Sequence, residues 1–235
     1  MCSSDLACEG EDTLSEDVTY FGSTADVDPS ISLDTGKTIL PLSDLALIPV
    51  TTINISSIDV EVMRIDERTI SSVRNLFSGL DRWDSNRVRN WDGEVLGGKT
   101  IKISGDPGVE QSFNVDVSSI IDTDEPGLYV AIFDAVELDV PYYVAKPTQW
   151  FMRTNIGVAV YSGTTETKIE LRRFDDLQAV AGASVELLAQ NNRMLFEGIS
   201  DESGSVVVPV SALRGEGGNA PEYIEIGRAS CRERV

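Results

Sequence analysis

Apolar residues in this chain recur at every second position over short stretches. Ile58, Val60 and Val62 are separated by Asp59 and Glu61, Ile101 and Ile103 by Lys102, and Phe113, Val115 and Val117 by Asn114 and Asp116. The alternation returns at Leu128, Val130 and Ile132, at Ile156, Val158 and Val160, at Ile169 and Leu171, at Val185 and Leu187, and at Val206 and Val208. Residues two apart share one face of a strand, so this spacing predicts half-buried strands. Turn formers stand between them at Gly97-Gly98, Gly105-Asp106-Pro107-Gly108, 122–127, Gln190-Asn191-Asn192-Arg193 and 200–204. Short strands punctuated about every ten residues predict antiparallel sandwiches. The expected fold class is all-β, with two consecutive antiparallel β-sandwiches of the immunoglobulin or fibronectin-like kind.

One stretch departs from this period. Ile70, Val73, Phe77 and Leu80 fall on one helical face, with Asp66 or Thr69 as N-cap and Gly79 near the end. This predicts a single amphipathic helix of about three turns, crossing between strands. The segment 81–92, which mixes both charges with Trp83 and Trp91, is expected to be a surface connection whose rings cover the sheet edge. A second boundary is expected near Pro147, because a new strand set begins at Asn155. The expected domains are therefore a sandwich at 30–147 and another at 148–224. The second falls short of the roughly 100 residues usual for seven strands, so it is expected to be truncated at its C-terminus.

The two ends are set aside from this reading. Residues 1–6 and 226–235 resemble conceptual translations of sequencing-library adapters, and the last ten carry three Arg and one Glu after a strongly acidic body. Residues 7–29 are expected to be an acidic linker or the end of a preceding domain. From Ala7 to Gly36 there are eight acids and no Lys or Arg.

Composition narrows the chemistry. Asp+Glu 39 against Lys+Arg 19 gives a formal charge of −20, which disfavours binding to nucleic acid or anionic lipid. No apolar run approaches the ~18 residues of a membrane span. His is absent, which removes Ser-His-Asp and Cys-His nucleophile systems and His-based metal sites within this chain. Cys2 and Cys231 fall in the adapter-like ends, and Cys8 alone supports no internal disulfide.

Several short motifs invite a functional reading, and each has a plainer one. Gly93-Glu94-Val95-Leu96-Gly97-Gly98-Lys99-Thr100 satisfies the phosphate-loop pattern. The strand-like Ile101-Lys102-Ile103 follows it where a helix is needed, so a hairpin turn is expected. Gly108-Val109-Glu110-Gln111 is similar to a thioester sequence but has Val109 and no nearby Cys, and it is expected to be a turn before a strand. Asp122, Asp124 and Glu125 could form a cation site or a carboxylate pair, and Asp201, Glu202 and Gly204 a second. Solvated hairpin turns are expected at both. Asn54-Ile55-Ser56 fits the N-glycosylation pattern.

Two stretches resemble bacterial members of the alpha-2-macroglobulin family. The more specific runs from Thr148-Gln149-Trp150-Phe151 through Asn155-Ile156-Gly157-Val158 and Ala181-Gly182-Ala183-Ser184-Val185 to Asn191-Asn192-Arg193. It ends with Ser200-Asp201-Glu202-Ser203-Gly204 and the segment 213–221. In that order it is similar to the family's third macroglobulin-like domain, with Val180 standing where the family commonly has Pro. The weaker stretch, Ile39-Leu40-Pro41, 50–54 and 58–65, resembles the preceding domain. The resemblance implies two macroglobulin-like sandwiches serving as scaffold in a larger protease inhibitor. Such a parent traps proteases by conformational change when a bait segment is cut. Bait and any thioester would lie outside these residues, and no catalytic, cofactor-binding or metal residue is expected. The implied partners are proteases, for the full-length parent, and neighbouring macroglobulin-like domains. The implied location is periplasmic or cell-envelope, with an inner-membrane lipoprotein as one form. Two other readings stay open. One is an Ig-like adhesin or carbohydrate-binding module using Trp83, Trp91 and Tyr142. The other is an enzyme using Asp122 and Asp124, or Lys99 as a nucleotide-phosphate ligand.

Overall fold

The computed structural model describes residues 27–34, 39–42, 45–66, 69–73, 82–121, 125–138 and 146–228. These residues form strands in four sheets, arranged as two units.

In the first unit, β1 (Ser30–Leu33), β3 (Leu47–Ile53) and β6 (Gln111–Asp116) make a three-stranded sheet in the order β1-β3-β6. A five-stranded sheet has the order β2-β8-β7-β4-β5, built from β2 (Ile39–Leu40), β4 (Ser57–Ile65), β5 (Gly93–Lys102), β7 (Gly127–Asp134) and β8 (Thr148–Arg153). All pairs are antiparallel except β2 with β8, which is parallel. The core between the sheets is the alternation read outward from the sequence: Ile48 and Val50, Ile58, Val60 and Val62, Val115 and Val117, with Tyr129, Phe133 and Phe151. The rings of Tyr129 and Phe151, opposite each other in register, stack at 5.6 Å between centroids. A pair of this kind adds about 1 kcal/mol beyond its buried area.

The other face of the five-stranded sheet is covered as well. Met63, Ile65, Val130, Ile132 and Trp150 pack with Val73 and Val88 of a helical layer. That layer is α1 (Ile70–Val73), α2 (Arg82–Arg87) and a π-turn, Val88–Asp92. Asp92, almost fully buried, ties the layer together. Its side chain accepts from the Ser72 hydroxyl at 2.8 Å and pairs with Arg87 at 3.0 Å, and its carbonyl accepts from Asp66 N–H and the Thr69 hydroxyl. The expected three-turn helix is thus only partly seen: Ile70 and Val73 lie on α1, while Phe77, Gly79 and Leu80 lie outside the described residues. The Thr69 hydroxyl donates to the carbonyls of Asp66 and Asp92. The expected loop at 81–92 is helical over Arg82–Asp92, because Ser85, Val88 and Asp92 turn inward, and two of those three are polar.

One further expectation is corrected, and two others are set beside the strand pairing. Gly93–Thr100 is neither a phosphate loop nor a hairpin turn but part of β5, paired with β4 along its length. The Gly97-Gly98 pair marks a bulge: Val62 faces Gly97 and Met63 faces Val95, leaving Leu96 as the extra residue. Thr148–Arg153 belongs to the first unit, since it hydrogen-bonds β7 through six residue pairs, so the first sheet continues past the expected boundary at 147. The last strand also extends into the adapter-like tail, as described next.

The second unit is a small sandwich of two three-stranded antiparallel sheets. One, ordered β13-β10-β9, holds β9 (Ile156–Ser162), β10 (Glu166–Arg173) and β13 (Ser205–Pro209). The other, ordered β12-β11-β14, holds β11 (Ala183–Ala189), β12 (Met194–Ile199) and β14 (Pro221–Arg228). Its core is Ile169, Leu171, Val185, Leu187, Val206 and Val208, the inward half of each alternating run. Ile226, Gly227 and Arg228 pair with Val185, Ser184 and Ala183, so strand geometry reaches three residues into the segment set aside on sequence grounds. Ile226 packs against the core.

Candidate functional site

The turn 200–205 is the best-formed polar cluster. Asp201 Oδ1 accepts from Ser203 N–H at 2.8 Å, the Ser203 hydroxyl at 2.6 Å and Ser205 N–H at 2.9 Å, while Gly204 N–H donates to the Asp201 carbonyl. Gly204 has φ +77°, and a Cβ there would meet the Leu171 carbonyl oxygen at 2.5 Å, so only glycine fits. The hydrogen bonds, led by the Ser203 hydroxyl, hold the Asp201 carboxyl below its ordinary value. This is a self-satisfied hairpin turn, the plainer of the two sequence readings.

Other shifted carboxylates move the same way. Glu137 is lowered mainly by the Ser56 hydroxyl and main-chain amide, Glu170 by Lys168, and Asp176 by Arg173. A general acid at neutral pH needs the opposite direction. Tyr129 is raised because its burial disfavours the phenolate, and its hydroxyl donates to the Glu125 carbonyl at 2.7 Å. Glu125 itself pairs with Arg64, whereas Asp122 and Asp124 lie outside the described residues. Among the described residues, no group of three or more His, Cys, Asp or Glu converges to hold a metal ion.

A cleft of about 360 Å³ opens where the helical layer leaves the back of β4 and β5 uncovered. Asp59, Glu61, Arg89, Lys99, Asp134 and Lys146 supply its charges. Four of them form two ion pairs, Arg89 with Glu61 and Lys146 with Asp134, and Asp59 accepts from the Thr100 hydroxyl. Lys99 Nζ lies 3.4 Å from the Ser119 hydroxyl, and its backbone is extended in β5 opposite Val60, not in a loop that opens a helix, so the cradle of a phosphate loop is not formed around it. Sequence reasoning missed this cleft because its lining comes from five separate segments with no shared spacing.

The remaining candidates are placed as follows. Asp106–Val109 is a turn closed by Val109 N–H on the Asp106 carbonyl, with Gly108 at φ +75°, and Gln111 then opens β6. The thioester-like letters are thus a turn before a strand. The Asn54 side-chain amide is occupied on both sides, donating to the Val27 carbonyl at 2.5 Å and accepting from Gly108 N–H at 2.6 Å. That nitrogen is the one a glycan would need. The backbone of Trp83 lies in α2 and that of Trp91 in the π-turn, while Tyr142, Cys2, Cys8 and Cys231 lie outside the described residues.

Comparison with known proteins agrees with the division into two units. A family model for the bacterial alpha-2-macroglobulin MG2 domain matches residues 34–151, half of the chain, and one for the bacterial alpha-2-macroglobulin MG3 domain matches residues 153–229. The chain belongs to the bacterial alpha-2-macroglobulin family. The alpha-2-macroglobulin of Escherichia coli K12 is 21% identical over 197 residues, which is 83% of this chain and 12% of that relative. The chain therefore spans only a small part of the relative's length. The crystal structure of native E. coli alpha-2-macroglobulin spanning domains NIE-MG1 is similar with a TM-score of 0.64 at 18% identity, covering 84% of this chain and 91% of that one. The trypsin-activated E. coli protein gives 0.62 at 18% identity, covering 77% and 12%. A Salmonella alpha-2-macroglobulin mutant, Y1175G, gives 0.56 at 18% identity, covering 80% and 11%. The two family matches meet at 151–153, where β8 ends, so residues 34–151 and 153–229 correspond to two macroglobulin domains.

Proposed function

We propose that the chain is a scaffold portion of a bacterial alpha-2-macroglobulin-like protease inhibitor, which traps proteases by conformational change with bait and any thioester supplied elsewhere in the parent. The observation that carries this is the back-to-back match of two macroglobulin domains to two separately cored sandwiches, 34–151 and 153–229. On this reading the chain is not an enzyme. Its best-formed polar groups are structural, with the Asp201 carboxylate held charged by turn hydrogen bonds and those of Glu170 and Asp176 by Lys168 and Arg173. The parent acts in the periplasm or cell envelope, its partners being proteases and the adjoining macroglobulin domains.

We take the module boundary to be residues 153–154 and the second module to be incomplete. Val160 and Val158 stand opposite the buried Ile169 and Leu171 and point the same way, yet they are 50% and 44% exposed on the free edge of β9. An inward side without cover is what a sandwich lacking a strand leaves open. The test of the scaffold role is a titration of trypsin with the purified chain, read on a protein substrate. The expected result is full residual trypsin activity at every ratio. A stoichiometric block would place the inhibitory device inside these residues and overturn the proposal.

A further inference from the structure

Only Thr154 and Asn155 separate β8 of the first module from β9 of the second. A two-residue linker between modules would by default allow relative motion. Here both sides of it are tied down. Asn155 Oδ1 accepts from Leu42 N–H at 2.9 Å, and Asn155 O accepts from Phe174 N–H at 2.9 Å. Leu42 follows β2 of the first module, and Phe174 follows β10 of the second. One linker residue is thus hydrogen-bonded to both modules, through its side chain to one and its main chain to the other.

The neighbouring residues hold Leu42 through its carbonyl as well. Arg153, only 2% exposed, reaches back so that Nη2 donates to the Leu42 carbonyl at 3.2 Å, while its backbone pairs with Leu40 in the parallel β2–β8 ladder. A buried guanidinium is costly unless its donors find acceptors, so this hydrogen bond helps to hold the Leu42 carbonyl in place. On the second-module side, the Phe174 ring lies over Gly157, where an added Cβ would come within 3.0 Å of it. Thr154 Oγ1 accepts from Ile156 N–H at 3.0 Å and shapes the turn into β9.

We infer that Asn155, braced by Arg153 on Leu42, is a fixed joint that makes the two modules move as one body. Asn155 acts as a positioning residue. This inference does not depend on protease trapping, because it concerns the geometry of the pair alone. Its logic is a specific one: the Leu42 amide needs an oxygen acceptor at position 155, so Asp serves there and Ala does not.

The test uses residual dipolar couplings on the full 235-residue chain, fitting an alignment tensor to each module separately. The wild type is expected to give one shared tensor for both modules. Asn155→Ala is expected to give two tensors of unequal magnitude, with amide shifts inside each module unchanged. Asn155→Asp is expected to restore the shared tensor. Unequal tensors in the wild type, or a shared tensor in Asn155→Ala, would overturn the joint. So would failure of Asn155→Asp to restore coupling while both modules stay folded.

Discussion

The two modules solve one problem, covering a sheet, to different extents. The five-stranded sheet of the first is buried on both sides, by a second sheet and by a helical layer, and β7 has an almost unbroken run of buried residues from Tyr129 to Phe133. The hydrophobic core of the second module lies between its two sheets. Val207 of β13 is half-exposed while its neighbours Val206 and Val208 are core. An outward Val in the second module is therefore a tolerated surface residue. An outward Val in the first is the core of another layer. The same letter at the same strand phase carries different energy because of what packs behind it.

The sharpest way to break this contrast is to place one charge at each of the two positions. Val130→Asp puts a carboxylate under the helical layer and is expected to cost at least about 3 kcal/mol, unfolding the first module in mild denaturant. Val207→Asp is expected to shift stability by no more than about 0.5 kcal/mol. Urea titrations followed by amide resonances of each module would measure both. Equal effects would mean that the helical layer does not seal the sheet.

A smaller effect is expected from Asp92→Ala, which removes the side-chain ties to Ser72 of α1 and Arg87 of α2 and leaves the main-chain carbonyl's hold on Asp66 in place. The expected loss is about 1 to 3 kcal/mol, confined to the first module, because Ser72 and Arg87 lose a largely buried partner. Hydrogen exchange should rise in α1 and α2 and stay unchanged in β9–β14. Exchange that rises throughout the second module would contradict the separate cores.

The smallest effect concerns acid. Asp201 and Glu137 have folded-state pKa values below their unfolded ones, so the stability they contribute is present above the unfolded value and is lost as pH falls through the folded one. The relevant window lies below about pH 4. Asp201→Asn should flatten the second module's part of that decline and leave the first module's part intact, as a pH series of thermal melts resolved by module would show. An unchanged second-module profile would remove Asp201 from the account.

How much of this could be read from residues follows from the same contrast. The core of the second module was legible, because one inner face and one wet face give clean alternation at Ile169, Leu171, Val185, Leu187, Val206 and Val208, whereas β12 and β14 are in none of the alternating runs. The Asp201–Gly204 turn was legible because its chemistry is local. The first module was legible only on its sandwich side. The helical layer at 82–92 escaped because two of its three inward residues, Ser85 and Asp92, are polar, and no hydrophobic period marks them. The bulge at Gly97-Gly98 read as a turn because glycine serves both. Thr148–Arg153 reads as the start of a strand set, while its partners β7 and β2 are fixed only by long-range pairing. The charged cleft and the Asn155 joint join residues far apart in the chain, and neither has a spacing to find.

The central claim, that these residues are scaffold modules of an alpha-2-macroglobulin-like inhibitor, is tested most directly by exchange. Residues 34–228 would replace the matching stretch of E. coli alpha-2-macroglobulin, and the chimera's block of trypsin on a protein substrate would be measured against the parent. The account predicts a folded chimera that still blocks trypsin. A chimera in which both modules are folded, by hydrogen exchange, but which leaves trypsin fully active would contradict it.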